Sequence, residues 1–204
     1  MTISKDHWYD GRFYDKFIAP NQDKTFGIIK EIIPHGCKFL DVGCGTGRLA
    51  FQIGRKCEEI VGVEISLKNL SIAQSKLNEV KAENIKFEHI DAMELNSSLD
   101  NDFDYASLTY VIHEVDRQSR IDLLNSIKSV ANRIIIADYL YPHPNSLWGN
   151  INKVVEFFAG RTHFKNFRSY LEDGGLRGLA EKAGLSIVQE EVNKPQTSHL
   201  VVLE

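Results

Sequence analysis

Short apolar runs alternate along this chain with segments of helical periodicity. The runs at 38–42, 59–66, 85–90, 103–109, 133–138, 185–190 and 198–203 read as strands; the first is a short, mainly apolar run around Asp41 and the second carries Ile60-Val61-Gly62-Val63, as in strands buried on both faces. Between them, Gln22 to Ile33 carries Phe26, Ile29, Ile32 and Ile33 close to helical spacing, and Pro34-His35-Gly36 ends it. Further helices are expected from Arg48, over Leu67 to Asn78 with Ser66 as N-cap, over Arg117 to Val130, and over Leu176 to Lys182 with Gly184 as C-cap. Tyr139 to Pro144 reads as a loop because of its prolines, and Val154, Val155, Phe157 and Phe158 as part of an apolar helix. Strands alternating with helices imply an α/β fold around a mostly parallel sheet. The last two runs are joined by a short turn near Asn193-Lys194-Pro195, so they pair antiparallel or lie apart.

Composition narrows the class. A chain of 204 residues, 43% apolar, suffices for one domain with a full core. A net charge of -4 and a pI near 6.0 give no electrostatic reason to expect nucleic acid as a partner. No apolar run approaches the roughly 20 residues of a membrane helix, and Met1 to Trp8 lacks the apolar centre of a signal peptide, so a cytoplasmic protein is expected. Cys37, Cys44 and Cys57 are odd in number and not spaced like metal ligands, so neither a disulfide framework nor a metal site is expected.

The chemistry concentrates in Lys38-Phe39-Leu40-Asp41-Val42-Gly43-Cys44-Gly45-Thr46-Gly47-Arg48. A strand that runs through glycines into a helix brings bare backbone and unpaired N–H groups close to a ligand. Dinucleotide sites want G-x-G-x-x-G, whereas Arg48 occupies the place of the third glycine here, and Asp41 suits a positively charged ligand better than a pyrophosphate. The block L-D-V-G-C-G-T-G resembles the first motif of class I S-adenosylmethionine-dependent methyltransferases. Within that superfamily the chain is similar to the ubiquinone/menaquinone-biosynthesis enzymes, through its N-terminal Trp8-Tyr9 and Phe13-Tyr14-Asp15 and its G-G-L…A-G-L segment over 174–185. The resemblance implies a Rossmann-like three-layer sandwich, seven-stranded and mostly parallel with the last strand antiparallel. It implies S-adenosylmethionine as cofactor and S-adenosylhomocysteine as product.

Glu64 lies about 20 residues past the glycine turn, where an acid accepts hydrogen bonds from ribose hydroxyls. Asp91 follows the third run; it is either a helix cap or, as the resemblance implies, the partner of the adenine amino group. The same resemblance places Gly43, Cys44, Gly45, Gly47, Arg48, Ile65, Ala92, Met93 and Thr109 around the cofactor. The aromatic segment 1–35 reads as packing or as a lid, with Tyr14 reaching the cofactor by cation–π attraction.

Strand four should lie beside strand one, where strand order reverses, so Tyr110 to Asp116 is expected to face the transferred methyl group. His113 is either a loop histidine bonded to backbone or a base or substrate ligand; Tyr110, Tyr139 and His143 are candidate acceptor-pocket walls. The chain is thus read as a single domain: a helical lid over 1–35, a core over 36–138 and 171–204, and an insertion over 139–170 that covers the acceptor. Methyl transfer is in-line displacement from a sulfonium, and alignment in a dry pocket supplies up to roughly 7–11 kcal/mol. The expected acceptor is a small molecule, apolar or lipid-like, with carbon, oxygen, nitrogen and sulfur all open, and no motif addresses oligomeric state. A cofactor-binding protein without activity and an NAD-dependent oxidoreductase are the rival readings; Arg48 and the terminal hairpin oppose the second.

Overall fold

The computed structural model describes residues 22–99, 102–194 and 196–204. The lid expected over 1–35, and Tyr14 with it, lies largely outside the described residues. The described strands are β1 (Cys37–Val42), β2 (Cys57–Val63), β3 (Ile85–Glu88), β4 (Phe103–Thr109), β5 (Ala131–Tyr139), β6 (Ile187–Val192) and β7 (Ser198–Leu203). They form one sheet in the order β3-β2-β1-β4-β5-β7-β6, so strand order reverses between β1 and β4. This is the Rossmann-like α/β order the sequence implies. No described helix is long and apolar enough to cross a membrane.

The chain divides into two compact units, Met1–Ser107 with Ser126–Asn132, and Leu108–Asn125 with Arg133–Glu204. In the first, β1 pairs parallel with β2 from Cys37↔Cys57 to Val42↔Val63, and β2 with β3 from Ile60↔Ile85. Phe39, Leu40 and Ile60 are wholly buried, which is why these strands carry apolar residues on both faces. Helices α1 (Asp23–Ile32), α2 (Arg48–Ile53), α3 (Leu67–Val80) and α4 (Leu95–Ser98) complete this unit. Ser66 caps α3 as expected, its side chain accepting from the Asn69 N–H. Cys37 and Cys57 stand at hydrogen-bond distance as free thiols, Sγ to Sγ 3.5 Å.

Gly62 on β2 is a packing requirement. A Cβ there would meet Phe87 Cδ1 at 2.6 Å and Cys44 Cβ at 3.0 Å. Gly62→Ala is expected to cost about 1–3 kcal/mol through overpacking, measured by urea unfolding. A loss under about 0.5 kcal/mol would mean that the Phe87 ring turns aside freely.

In the second unit, β7 pairs antiparallel with β5, Ile134↔Leu203 to Tyr139↔Ser198, and antiparallel with β6. The last strand is therefore the antiparallel one. Three sequence boundaries are corrected. Helix α5 spans Arg120–Lys128, not Arg117 to Val130, because a turn closed by Ser119 N–H on the Asp116 carbonyl precedes it. Tyr139 ends β5 and is not in the loop, since its pairing with Ser198 continues the ladder. β6 starts two residues later than its apolar pattern suggests.

The stretch after β5 forms α6 (Leu147–Ala159) and α7 (Arg161–Glu172), followed by α8 (Gly175–Lys182). The break between α6 and α7 falls at Gly160, whose φ of +131° is accessible in practice only to glycine. Helix α6 turns its apolar side outward: Leu147 and Phe158 are 72% and 73% exposed, while Glu156 is buried. The apolar helix expected here is present, and it faces outward.

Candidate functional site

Two groups of side chains carry chemistry, one in each unit. In the first unit the chain leaves β1 through Gly43, Gly45 and Gly47, at φ of +68°, +55° and +77°. The turn is pinned to β2 by the N–H groups of Gly43 and Cys44, both donating to the Val63 carbonyl. Asp41, 1% exposed, accepts from Ser107 Oγ at 2.7 Å through Oδ1. Its Oδ2 is buried without a hydrogen-bond partner among the described residues. Burial pushes this carboxyl up to about 7, Ser107 restrains the rise, and nearby Glu64 adds to it.

Glu64 follows β2 directly and is held in place by backbone. Its Oε2 accepts from Gly45 N–H at 2.9 Å, and Oε1 accepts from Ile65 and Ser66 N–H at 2.8 Å each. The carboxylate thereby ties the glycine turn to the start of α3. Asp91 is in fact a cap: it accepts from Met93 N–H at 3.0 Å at the head of a short 3₁₀ turn over Ala92–Glu94. That bond occupies one oxygen and leaves the adenine reading open to test. Met93 is exposed, and the Ala92 carbonyl accepts from Ser126 Oγ.

Arg48 is engaged elsewhere. Its guanidinium bonds Asp23 through Nε at 3.1 Å and Nη2 at 2.6 Å, joining α2 to α1, so the assignment to the cofactor loses its side-chain basis. Cys44 is buried, and its thiol is pushed up strongly by burial and by Asp41 and Glu64. It is an inert small residue at the turn.

In the second unit, Tyr110 leaves β4 with φ of +56°, a conformation that costs a non-glycine residue energy and redirects the chain. Its N–H donates to the Ala137 carbonyl, and its hydroxyl stands 3.1 Å from Ser198 Oγ. Thr109 just before it is buried. Three residues on, His113 is 3% exposed. Its Nδ1 lies 2.8 Å from Asp138 Oδ1 and 3.0 Å from Oδ2, so the partner is a buried carboxylate, not the backbone. Burial alone would lower the imidazole, but Asp138, Glu156 and Glu114 raise it to about 9. In the free protein these carboxylates therefore favour the charged ring.

Around it stand groups the sequence left unassembled. His163 Nε2 is 3.0 Å from Glu114 Oε1, and His163 Nδ1 is 2.7 Å from Glu156 Oε2. Against burial, these two acids raise His163 to about 10. Tyr139 donates its hydroxyl to Glu156 Oε1 at 2.6 Å, and its ring meets that of His113 edge-on with centroids 4.9 Å apart. His143 packs near Tyr139 and Phe167; burial and the charge of Lys153 lower it, so it is neutral. Tyr110, His113, Tyr139 and His143 thus share one unit, and Asp138, Glu114, Glu156 and His163 join His113. One ligand atom each from His113, Glu114 and His163 lies within 4.8 Å of the others. The missed members sit 25, 43 and 50 residues from His113, on β5, α6 and α7, beyond the reach of any spacing rule.

Comparison with known proteins agrees with this geometry. A family model described as a methyltransferase domain matches residues 39–133. The chain is 30% identical over 112 residues to an O-methyltransferase of Penicillium expansum, covering 53% of this chain and 40% of that protein. It is 25% identical over 185 residues to the demethylmenaquinone methyltransferase of Bacillus subtilis, covering 82% and 78%. Against several curated relatives the chain spans less than two thirds of their length. The crystal structure of magnesium protoporphyrin IX methyltransferase from Synechocystis with bound S-adenosylhomocysteine shares the fold, with a TM-score of 0.61 at 19% identity over 90% of this chain and 81% of that one. Motif, strand order and the match converge: residues 39–133 match a methyltransferase domain, and the chain shares the fold of solved S-adenosylmethionine-dependent methyltransferases.

Proposed function

We propose that this protein transfers the methyl group of S-adenosylmethionine to a small-molecule acceptor. The observation that carries this reading is Asp41 Oδ2, an orphaned buried oxygen beside bare glycine backbone. A buried carboxyl without a partner is costly, and the ammonium or sulfonium of the donor is the charge it lacks. The residues present fit that donor. Glu64, already oriented by three backbone N–H groups, presents a fixed acceptor for ribose, and Asp91 keeps a carboxylate oxygen beyond its cap bond for the adenine amino group. Ile65, Ala92, Met93 and Thr109 are assigned to the walls of this site. When bound, the donor supplies an electrophilic methyl; the chain's part is to hold it and exclude water.

On the acceptor side we assign Tyr110, His113, Tyr139 and His143, with His113 as the residue that touches the acceptor. Residues 139–170 are assigned as the acceptor's cover, and the outward apolar side of α6, with Trp148, Phe157 and Phe158 exposed, favours an apolar or lipid-like acceptor. A cytoplasmic reaction is consistent with the free buried thiols.

Calorimetric titration with S-adenosylmethionine, S-adenosylhomocysteine and NAD tests the donor. Heat for the first two and none for NAD is expected; the reverse would overturn the reading. Asp91→Ala is expected to weaken donor binding about tenfold, the loss of one hydrogen bond to a charged group. Unchanged affinity in a folded variant would remove Asp91 from the site.

A further inference from the structure

The cluster around His113 holds more polar groups than orienting one acceptor requires. We propose that His113 Nε2, His163 Nε2 and Glu114 Oε1 bind one divalent transition-metal ion. None of the residues assigned to the methyl donor is among these ligands, so metal binding is decided separately from donor binding; His113 is common to this site and to the acceptor side.

Distances come first. Nitrogen and oxygen ligands at about 2.1 Å from a tetrahedral ion stand roughly 3.4 Å from one another. His163 Nε2 to Glu114 Oε1 is 3.0 Å, and His113 Nε2 to Glu114 Oε1 is 3.9 Å. These values bracket the ligand separation of a bound ion. For His113 Nε2 the distance is also too long for a hydrogen bond, so a 96% buried side chain points a ring nitrogen at a carboxylate without bonding it.

The supporting contacts have the pattern of a metal centre. A metal-bound histidine commonly donates its other N–H to a carboxylate, which fixes the tautomer and aims the free lone pair. Asp138 does this for His113 Nδ1, at 2.8 Å, from a side chain with no exposure. The backbone brings the ligands together from two places: the loop after β4, and α7 beyond the break at Gly160. Two imidazoles with one carboxylate suit Zn²⁺, Fe²⁺, Mn²⁺ or Co²⁺ better than Ca²⁺ or Mg²⁺, which favour all-oxygen sets.

The test uses the full chain, stripped with a chelator and dialysed, titrated at pH 7.5 with ZnCl₂ by calorimetry and with CoCl₂ by visible absorption. One equivalent of tight binding and d–d bands of a four- or five-coordinate Co²⁺ site are expected. His163→Ala should weaken binding roughly 100-fold or more, and Asp138→Asn about 10–100-fold through the lost support. His35→Ala, on an exposed histidine far along the chain, should change nothing. Each variant is checked by circular dichroism; if His163→Ala does not fold, Glu114→Gln on the part-exposed ligand takes its place. Absence of tight binding in the parent protein would overturn the site, and so would binding that survives both His163→Ala and Asp138→Asn. Because the readout is metal affinity, it is decided whether or not the protein binds S-adenosylmethionine.

Discussion

Arg120→Met is expected to lower the unfolding free energy by about 3–5 kcal/mol, the range for removing one member of a buried ion pair. Arg120 at the start of α5 has no exposed surface. Its guanidinium donates to Asp173 Oδ2 at 3.1 Å, to the Asn166 carbonyl at 2.6 Å, to Ser169 Oγ at 2.8 Å and to the Val115 carbonyl at 3.1 Å. It also lies over the Tyr170 ring, 5.9 Å from its centroid. One side chain thus bonds the loop before α5, α7 and the Asp173 that follows α7; methionine would remove all four bonds, although Asp173 keeps Arg117 and Lys182 and the Asn166 carbonyl keeps Ser169 Oγ. Arg117 is the internal control. It bonds the same Asp173, at 2.7 Å, but its side chain is 53% exposed, so Arg117→Met is expected to cost under about 1 kcal/mol. Urea unfolding of both variants separates the cases. A loss below about 1 kcal/mol for Arg120→Met would mean that the desolvation of the guanidinium cancels its bonds. Since domains of this kind are stable by only about 5–15 kcal/mol, the expected loss is a large fraction of the whole.

How much of this was legible beforehand depends on distance along the chain. The glycine turn, β1, β4 and β7 were readable because each is a local pattern: a mainly apolar run, or glycines at positions of positive φ. Glu64 was readable from its fixed spacing past the glycine turn, although its bond to Gly45 spans 19 residues of chain. The Arg48 side chain pairs with Asp23 on another helix, which position in a motif does not reveal. The cluster around His113 was invisible as a set. Asp138 ends a strand, and Glu156 and His163 lie on separate helices either side of Gly160, so nothing local in the sequence brings them to one point. Helix α6 shows the converse failure: periodicity locates an apolar stripe but not which way it faces.

Asp41→Asn is expected to weaken S-adenosylmethionine binding about 10- to 100-fold at pH 8, as a hydrogen bond to a charged group is worth about 1.5–3 kcal/mol. The pH dependence makes this prediction specific. In the free protein, burial raises the Asp41 carboxyl to about 7, with Glu64 adding to the rise. Below that pH the group is protonated and neutral; above it the group is a carboxylate able to pair with a cationic ligand. Binding of the donor below pH 7 must therefore expel a proton, so affinity should fall as pH drops from 7 toward 5, by up to about tenfold per unit. Above pH 7 this group contributes no further change. The same group acts oppositely on folding: its pKa is higher folded than unfolded, so between about 4 and 7 the folded state binds the extra proton and loses stability as pH rises. A cationic ligand reverses that loss. In Asp41→Asn both the slope in affinity and this part of the slope in stability should vanish, because the amide does not titrate while Ser107 Oγ can still donate to its oxygen. Calorimetry from pH 5 to 8 on both proteins decides it: a slope that persists in the asparagine variant would assign the titration to another group and leave Asp41 a structural residue.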